Sequence, residues 1–303
     1  MSQSTGGMSE RVRSFAGTAS RVVPNSQTPT VRLSAGLVAV VGIALLTLTR
    51  IAVNVPVGLP LVSSSVWFDT VTTAAVVGPA GGIILLGVTA EEAWERIGLI
   101  LVGVFGLLSA LTSAIAVPAV GVTVAGSWLL LIGQTRGLKR QDYRWQSLGG
   151  LVAIALLGSL TLSLFGAIGV RPAALRPAGT TLALVGMAMT PLAVRSSLGP
   201  LAVGALTGVG TFSLTASAPF VSGAIVLIAG SAVGASAVLL AAAVGGLTAT
   251  ITEGVMRHRI TPAVAGLLLL MAGVPSSIPR ALSVVLAVAL ILGILFDTGS
   301  DSA

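Results

Sequence analysis

The fold is decided by a stretch without a single charged side chain, residues 196–252, which reads "SSLGPLAVGALTGVGTFSLTASAPFVSGAIVLIAGSAVGASAVLLAAAVGGLTATIT". An α-helix rises about 1.5 Å per residue and the hydrocarbon core of a bilayer is about 30 Å thick, so one crossing needs roughly 20 residues. These 57 residues are long enough for roughly three crossings. A second uncharged run, 97–133, is long enough for roughly two.

The composition of the whole chain gives the same result. Of 303 residues, 54% are hydrophobic and 8% are charged, against roughly 25% charged residues in an ordinary soluble domain. We therefore predict an all-α polytopic transmembrane bundle of about ten or eleven short helices interrupted by glycine and proline. The expected organisation is a disordered, basic, cytoplasmic arm (1–32), a transmembrane helical domain (33–297) and a short polar tail (298–303).

The positive charges are scattered between the apolar segments. The chain has 16 lysines and arginines against nine acids, which on one soluble face would suggest nucleic-acid binding. Their distribution favours loop charges that set topology and meet anionic lipid headgroups. The expected partners are membrane lipids, together with a membrane-protein partner or a second copy, and no nucleic acid. The chain has no cysteine, which excludes disulfides and thiolate metal sites.

The hydropathy of the chain and the polar or proline-containing interruptions between its apolar segments predict eleven crossings, with ten as the alternative. Segments 199–214 and 281–296 are short for a span. Loop charge places the N-terminus in the cytoplasm and the protein in the cell membrane, with the basic connection 134–146 as the best anchor, but it does not decide the side of the C-terminus. The eleven segments are 33–53, 70–90, 97–116, 118–134, 147–169, 179–194, 199–214, 219–235, 237–254, 262–277 and 281–296.

Small residues and prolines recur inside the predicted crossings. Pairs of small residues four positions apart let two helices approach closely, and a proline frees a carbonyl that must find a new partner. The pairs are Ala35/Ala39, Gly204/Gly208 and Gly230/Gly234, and the candidate kinks are Pro79, Pro191, Pro200 and Pro219. The stretch 54–69, with two prolines and three consecutive serines, is predicted to be an interfacial loop.

Two short stretches resemble each other. "GPAGGIILLGV" (78–88) and "GPLAVGALTGV" (199–209) share G-P and a later G-V at the same offset; repeats with broken helices are typical of transporters. Separately, 50–82 is similar to the early region of substrate-binding subunits of energy-coupling-factor vitamin transporters, in its Pro/Gly loop followed by a small-residue helix and a G-P turn. That resemblance covers about a tenth of the chain, and it supports neither family membership nor any transfer of binding residues.

Three of the nine acids lie together in "VTAEEAWERIG" (88–98). Glu91, Glu92 and Glu95 either form the solvated connection between two helices or present a partner-docking surface. An ion site is the third alternative, because three buried carboxylates would need cations or protons to exist there.

Glu253 follows the longest uncharged run and is the strongest candidate for an intramembrane acid. It either turns toward water at a helix end and pairs with Arg257 at i+4, or it faces the bundle interior with His258 as a proton relay. Asp69, at the mouth of the second helix, joins Glu253 and His258 as a candidate residue of a ligand or ion pathway.

Searches for catalytic and phosphate-binding motifs find none, and with one histidine and no cysteine we expect no metal site, cofactor or enzymatic activity. A membrane-embedded enzyme is therefore the third class of function. The first is a permease or transporter component that moves a small solute or ion by helix rearrangement. The alternative is a structural or assembly protein acting through helix packing and partner docking. Transport predicts a mid-membrane cavity lined by Ser, Thr and broken-helix backbone and faced by Glu253 or Asp69, whereas a structural role predicts a closed bundle.

Overall fold

A computed structural model describes residues 28–54, 65–136, 143–217, 236–272 and 278–297, and the regular elements in these ranges are all helices. The N-terminal residues 1–27, the tail 298–303, the predicted crossing 219–235 and its pair Gly230/Gly234 lie outside the described residues. A short 3₁₀ turn, Ser113–Ile115, joins the third and fourth helices. The α-helices are α1 Thr28–Asn54, α2 Ser65–Thr89, α3 Ala93–Leu111, α4 Ala116–Arg136, α5 Tyr143–Ala167, α6 Pro172–Ala188, α7 Thr190–Val194, α8 Leu198–Ser217, α9 Ala237–Met256, α10 Ile260–Ala272 and α11 Ile278–Asp297.

The described helices confirm the predicted all-α polytopic bundle. Seven of the spans are long and apolar enough, by length and composition, to cross a membrane, and the segments Ile260–Ala272 and Arg280–Gly293 are shorter apolar helices. Many large apolar side chains are exposed on the outer surface, including Leu48, Leu206 and Val209. Such a surface is suited to lipid, because hydrocarbon is as apolar as the side chains themselves.

The C-terminal helix α11 forms the centre of the bundle. It packs against α1 to α5, α7 and α10, and every residue from 281 to 293 is buried. Its sequence there, "ALSVVLAVALILG", is apolar around its whole circumference, as a helix surrounded by other helices requires. The predicted segment 281–296, short for a membrane span, is therefore the core of the protein.

The direction of the helices follows from their contacts. Gly36 near the start of α1 faces Leu290 near the end of α11, and Gly293 faces Arg32, so these two helices are antiparallel. Wherever glycine contacts define direction, consecutive helices run antiparallel, with α6 and α7 forming one pass. With α6 and α7 counted together, the described helices form ten segments, and α1 begins at the same end of the bundle where α11 finishes.

This topology separates the arginines unequally. We call the end where α1 begins the basic end, because seven described arginines stand there and four stand at the opposite end. The seven are Arg32, Arg96, Arg136, Arg144, Arg195, Arg257 and Arg259, and the four are Arg50, Arg171, Arg176 and Arg280. The sequence between α4 and α5 contains two further basic residues, Lys139 and Arg140, which lie outside the described residues.

Two predicted small-residue pairs lie at close helix contacts. Ala35 and Ala39 are fully buried and face α2, where a Cβ added to Gly82 would stand 2.7 Å from the carbonyl oxygen of Ala35. Gly204 and Gly208 face α9, where a Cβ added to Gly204 would stand 2.5 Å from the carbonyl oxygen of Gly245. Close approach of the backbones therefore holds both helix pairs together.

Several helix ends differ from the predicted ones. The helix α2 begins at Ser65, so Trp67 and Asp69 belong to its first turns and not to an interfacial loop, and the indole of Trp67 donates to Thr49 Oγ1 at 3.2 Å. The helix α6 begins at Pro172, seven residues before the predicted start. Proline is favourable at that position, because the N–H groups of a helix's first turn have no carbonyl acceptor within the helix, so the missing N–H of proline costs no hydrogen bond.

The prolines occupy different positions in their helices. Pro79 lies inside α2 and is buried, whereas Pro200 lies in the first turn of α8. The two similar G-P stretches therefore do not occupy equivalent structural positions, and the pattern is not evidence of duplication. Pro191 interrupts the pass formed by α6 and α7, and Pro219 lies outside the described residues.

Candidate functional site

An open groove of about 540 Å³ lies between α8 and α9 and reaches the interruption between α6 and α7. Its volume is within the range of small-molecule sites. Ala188 and Pro191 contribute the interruption, and the remaining lining residues come from α8 and α9. The described lining residues are Ala188, Pro191, Leu201, Gly204, Ala205, Gly208, Val209, Phe212, Val238, Ala241, Ala242, Gly245, Gly246 and Ala249.

The interruption has a local cause in Pro191, which has no N–H to donate to the carbonyl of residue 187. The hydroxyl of Thr190 replaces that donor, since its Oγ1 lies 2.8 Å from the carbonyl oxygen of Met187. The next amide, of Leu192, donates to the carbonyl of Met189 at 3.0 Å, which is the tighter i−3 pattern. A carbonyl freed within the bundle has thus found a polar partner, as hydrocarbon surroundings require.

The helix α9 supports the interruption through a glycine and a threonine. A Cβ added to Gly246 would stand 2.7 Å from the Cα of Ala188, so only glycine fits this approach. One turn later, Thr250 Oγ1 donates to Thr190 Oγ1 at 2.9 Å, and both threonines are fully buried. The two hydroxyls hold the interruption against α9, and the groove opens beside them.

The described lining residues of the groove carry no hydroxyl, amide or charged side chain. This differs from the cavity that we predicted for transport, which was to be lined by Ser and Thr and faced by Glu253 or Asp69; the broken-helix backbone is the part of that prediction that is present. Within the described lining, the polar atoms available to a ligand are backbone atoms beside glycines and at the helix interruption. The groove is therefore suited to the apolar part of a ligand.

Glu253 is buried, yet it stands at the basic end and does not line the groove. Its carboxylate Oε2 accepts from the amide N of Ser197 at 2.7 Å and from Ser197 Oγ at 3.1 Å, while Oε1 pairs with Arg257 Nε. Ser197 immediately precedes α8, so Glu253 caps that helix from α9. The predicted i,i+4 pair is present, but on an acid that is 2% exposed.

The other candidate pathway residues do not join Glu253. His258 is exposed in the turn after α9, with a left-handed φ of 52°. Asp69 is exposed near the start of α2, at the opposite end of the bundle. A pathway that uses all three residues stays a prediction, and the structure does not bring them together.

The acidic stretch at 91–95 divides into two environments. Glu91 and Glu92 are exposed in the connection between α2 and α3. Glu95 lies in the first turn of α3 and accepts a hydrogen bond from Gln134 Nε2. Arg96 donates to the carbonyl of Ala90 from Nε at 3.1 Å and from Nη2 at 2.7 Å, so it closes the end of α2. A docking role for the exposed carboxylates stays a prediction.

Glu95 stands two residues before the uncharged run that begins at Ile97, and hence outside the membrane-spanning part of α3. Burial raises its pKa above the ordinary value, while the hydrogen bond from Gln134 and the charge of Arg32 oppose that rise. The three side chains border a small polar cavity beside the end of α11. Sequence reasoning missed Gln134 and Arg32 here, because no local signal links positions so distant in the chain.

Among the residues that the structure describes, no group of three or more His, Asp or Glu side chains could hold a metal ion. No match to the chain is found among curated proteins or among solved structures. A family model described as "Integral membrane family of unknown function (DUF8068)" matches residues 32–292, which includes α8, α9 and the interruption at Pro191. The chain belongs to this integral membrane family.

Proposed function

We propose that the protein is a permease or transporter component that moves a small solute by rearrangement of α8 against α9. The observation that carries the proposal is that the groove between these helices meets an interrupted helix at Ala188 and Pro191. Interrupted helices provide exposed backbone at membrane depth and are recurrent elements of transporter binding sites. Here they would present polar backbone atoms to one side of a mainly apolar solute.

The helix α8 is the element best suited to move. It packs mainly against α9, and much of its surface is exposed, including Leu198, Leu206 and Val209. Its interface with α9 is built of glycine and alanine, whose small side chains interlock little. Interfaces and packed elements with two arrangements are what domain and helix movements require.

We further propose that the protein spans the cell membrane with the basic end in the cytoplasm. Seven of the described arginines stand at that end, and short cytoplasmic loops are enriched in Lys and Arg. The N-terminus and the end of α11 would then both be cytoplasmic.

The absence of cysteine from the sequence allows a direct test without knowledge of the solute. Single thiols placed by Ala205→Cys and Ala242→Cys would line the groove, and Ala202→Cys would place one on α8 outside it. The protein is reconstituted in vesicles of known orientation and treated with a membrane-impermeant maleimide from either side. Transport predicts that both groove thiols react from both sides, and that the thiol at position 202 does not.

A structural or assembly role is the second candidate, favoured by the closed packing of α11 and by the engagement of Glu253 at a helix end. In that case the groove would have one fixed environment, and the thiols at 205 and 242 would react from one side only or from neither. The partner could then be a second copy or another membrane protein, with Glu91 and Glu92 on the docking surface. No enzymatic activity is expected in either case.

A further inference from the structure

We propose that the groove binds one anionic phospholipid from the leaflet at the basic end, with an acyl chain between α8 and α9 and the phosphate beside Arg195, Arg257 and Arg259. This groove is also the proposed site of the transported solute. The inference rests on the proposed function in one respect, that the bound lipid is the molecule that is moved. Binding itself is an independent claim.

The shape and lining of the groove favour an acyl chain. It follows the helix axes from Leu201 and Ala249 to Phe212 and Val238, and the eleven steps from residue 201 to residue 212 rise roughly 16 Å along the helix. Its described lining side chains are apolar. An apolar groove that is open at the surface of a membrane-spanning bundle can be entered by the acyl chains that surround it.

The charges beyond one end of the groove favour an anionic headgroup. Glu253 follows Ala249 by one turn of α9, and Ser197 precedes Leu201 by one turn of α8, so the groove ends about one helical turn from this pair. Three arginines, Arg195, Arg257 and Arg259, lie within a few residues of Ser197 or Glu253 along the chain. The side chain of Arg257 is 47% exposed, and Arg259 is exposed.

The hydrogen bonds between Glu253 and Ser197 hold the charged residues at the basic end in a fixed position relative to the groove. Glu253 joins the start of α8 to the end of α9, and it neutralises one arginine charge. The exposed side chains of Arg257 and Arg259 stand where a phosphate would bind. Arginine matches phosphate through paired N–H donors in one plane, and basic residues next to a membrane helix attract anionic lipids. A free phosphate would meet the arginines but would leave the groove unused.

The test uses the full chain purified in detergent and native mass spectrometry with phosphatidylglycerol or phosphatidylcholine of identical acyl chains. We expect one retained phosphatidylglycerol per protein and at least about fivefold weaker retention of phosphatidylcholine, since each arginine near an anionic headgroup contributes a several-fold preference. Inorganic phosphate, tested by thermal shift, should not stabilise the protein as phosphatidylglycerol does.

Two pairs of variants examine the two halves of the site. Ala242→Phe fills the groove and should abolish retention, whereas Ala202→Phe, on the exposed side of α8 outside the groove, should not. Arg259→Gln should lower the retention of phosphatidylglycerol about fivefold, and Arg171→Gln, in a turn at the opposite end, should leave it unchanged. Equal retention of both lipids, equal effects within either pair, or stabilisation by inorganic phosphate alone would overturn the inference.

The failures of the two proposals can be told apart. Fluorescent phosphatidylglycerol in vesicles, bleached from one side by dithionite, reports movement of the lipid across the membrane. Retention with the expected variant pattern, but with groove thiols that react from one side only and no lipid movement, supports the lipid site and contradicts transport. Groove thiols that react from both sides without any lipid preference support transport and contradict the lipid site.

Discussion

The helices α11 and α8 are both short apolar segments of 20 residues, and they occupy opposite environments. Every residue of α11 from 281 to 293 is buried among other helices. By contrast α8 packs mainly against α9 and exposes many of its side chains, among them Leu206 at 75%. The hydropathy of a segment measures how favourably its side chains leave water. It does not show whether those side chains then contact a neighbouring helix or lipid.

The difference lies in what each helix offers its neighbours. The large side chains of α11, such as Leu282 and Leu286, fill the space between several helices. Among the described helices, α8 places Gly204 and Gly208 against α9 and is capped by Glu253 at its start. The first arrangement buries a helix on all sides, and the second is the one in which we propose a movement.

The largest expected effect separates the two helices directly. Leu286→Ala removes a side chain that is fully buried in the centre, and it should lower the free energy of unfolding by about 2–5 kcal/mol through lost packing and a cavity. The matched change Leu206→Ala on α8 should cost less than about 0.5 kcal/mol. Thermal unfolding in one detergent measures both, and equal losses would contradict the assignment of α11 as the centre.

The next effect concerns the contact that supports the interrupted helix. Gly246→Ala introduces a Cβ that would stand 2.7 Å from backbone atoms of Ala188, and it should destabilise the protein by about 1–3 kcal/mol. Gly210→Ala on α8 meets no atom within 4 Å, and it should be neutral or stabilising, since alanine favours a helix by up to about 1 kcal/mol. If both changes proved neutral, α9 would not be in close contact with the interruption.

The sequence was sufficient for part of this architecture. The uncharged runs predict the helical bundle, and Ala35/Ala39 and Gly204/Gly208 predict close helix contacts that the structure contains. The central position of α11 could not be predicted from the sequence, because an apolar helix is suited equally to lipid surroundings and to contact with other helices. The groove could not be predicted either, since it depends on how three separate helices are arranged around Pro191.

A third effect tests the anchor of α8. Glu253→Gln keeps an acceptor for Ser197 but removes the charge that strengthens the bond and pairs with Arg257, and it should cost about 1 kcal/mol. The loss should be local, with faster hydrogen exchange at residues 197–201 and little change in α11. Glu91→Gln, at an exposed carboxylate, is the control. Uniformly faster exchange throughout the bundle would mean that Glu253 stabilises the whole core and not α8 in particular.

The smallest effect is a pH dependence beside the end of α11. Because burial raises the pKa of Glu95, the folded protein binds this proton more tightly than the unfolded chain does. Stability from this group should therefore fall as pH rises from the unfolded pKa through the raised folded pKa, and acidification within that window should stabilise the protein.

Melting temperatures of the wild type and of Glu95→Gln, measured across that window, test the dependence. Glutamine resembles the protonated acid in shape and, like it, is uncharged. The variant should therefore lose this part of the pH response and melt at or above the wild-type temperature at neutral pH. Glu92→Gln removes an exposed charge in the same connection, which contributes less to the raised pKa of Glu95 than burial does, so this variant should keep most of the wild-type response. If the melting temperature of Glu95→Gln changed with pH as much as that of the wild type, another group would bind the proton. The cavity bordered by Arg32, Glu95 and Gln134 would then not link the charge of α3 to the stability of the central helix α11.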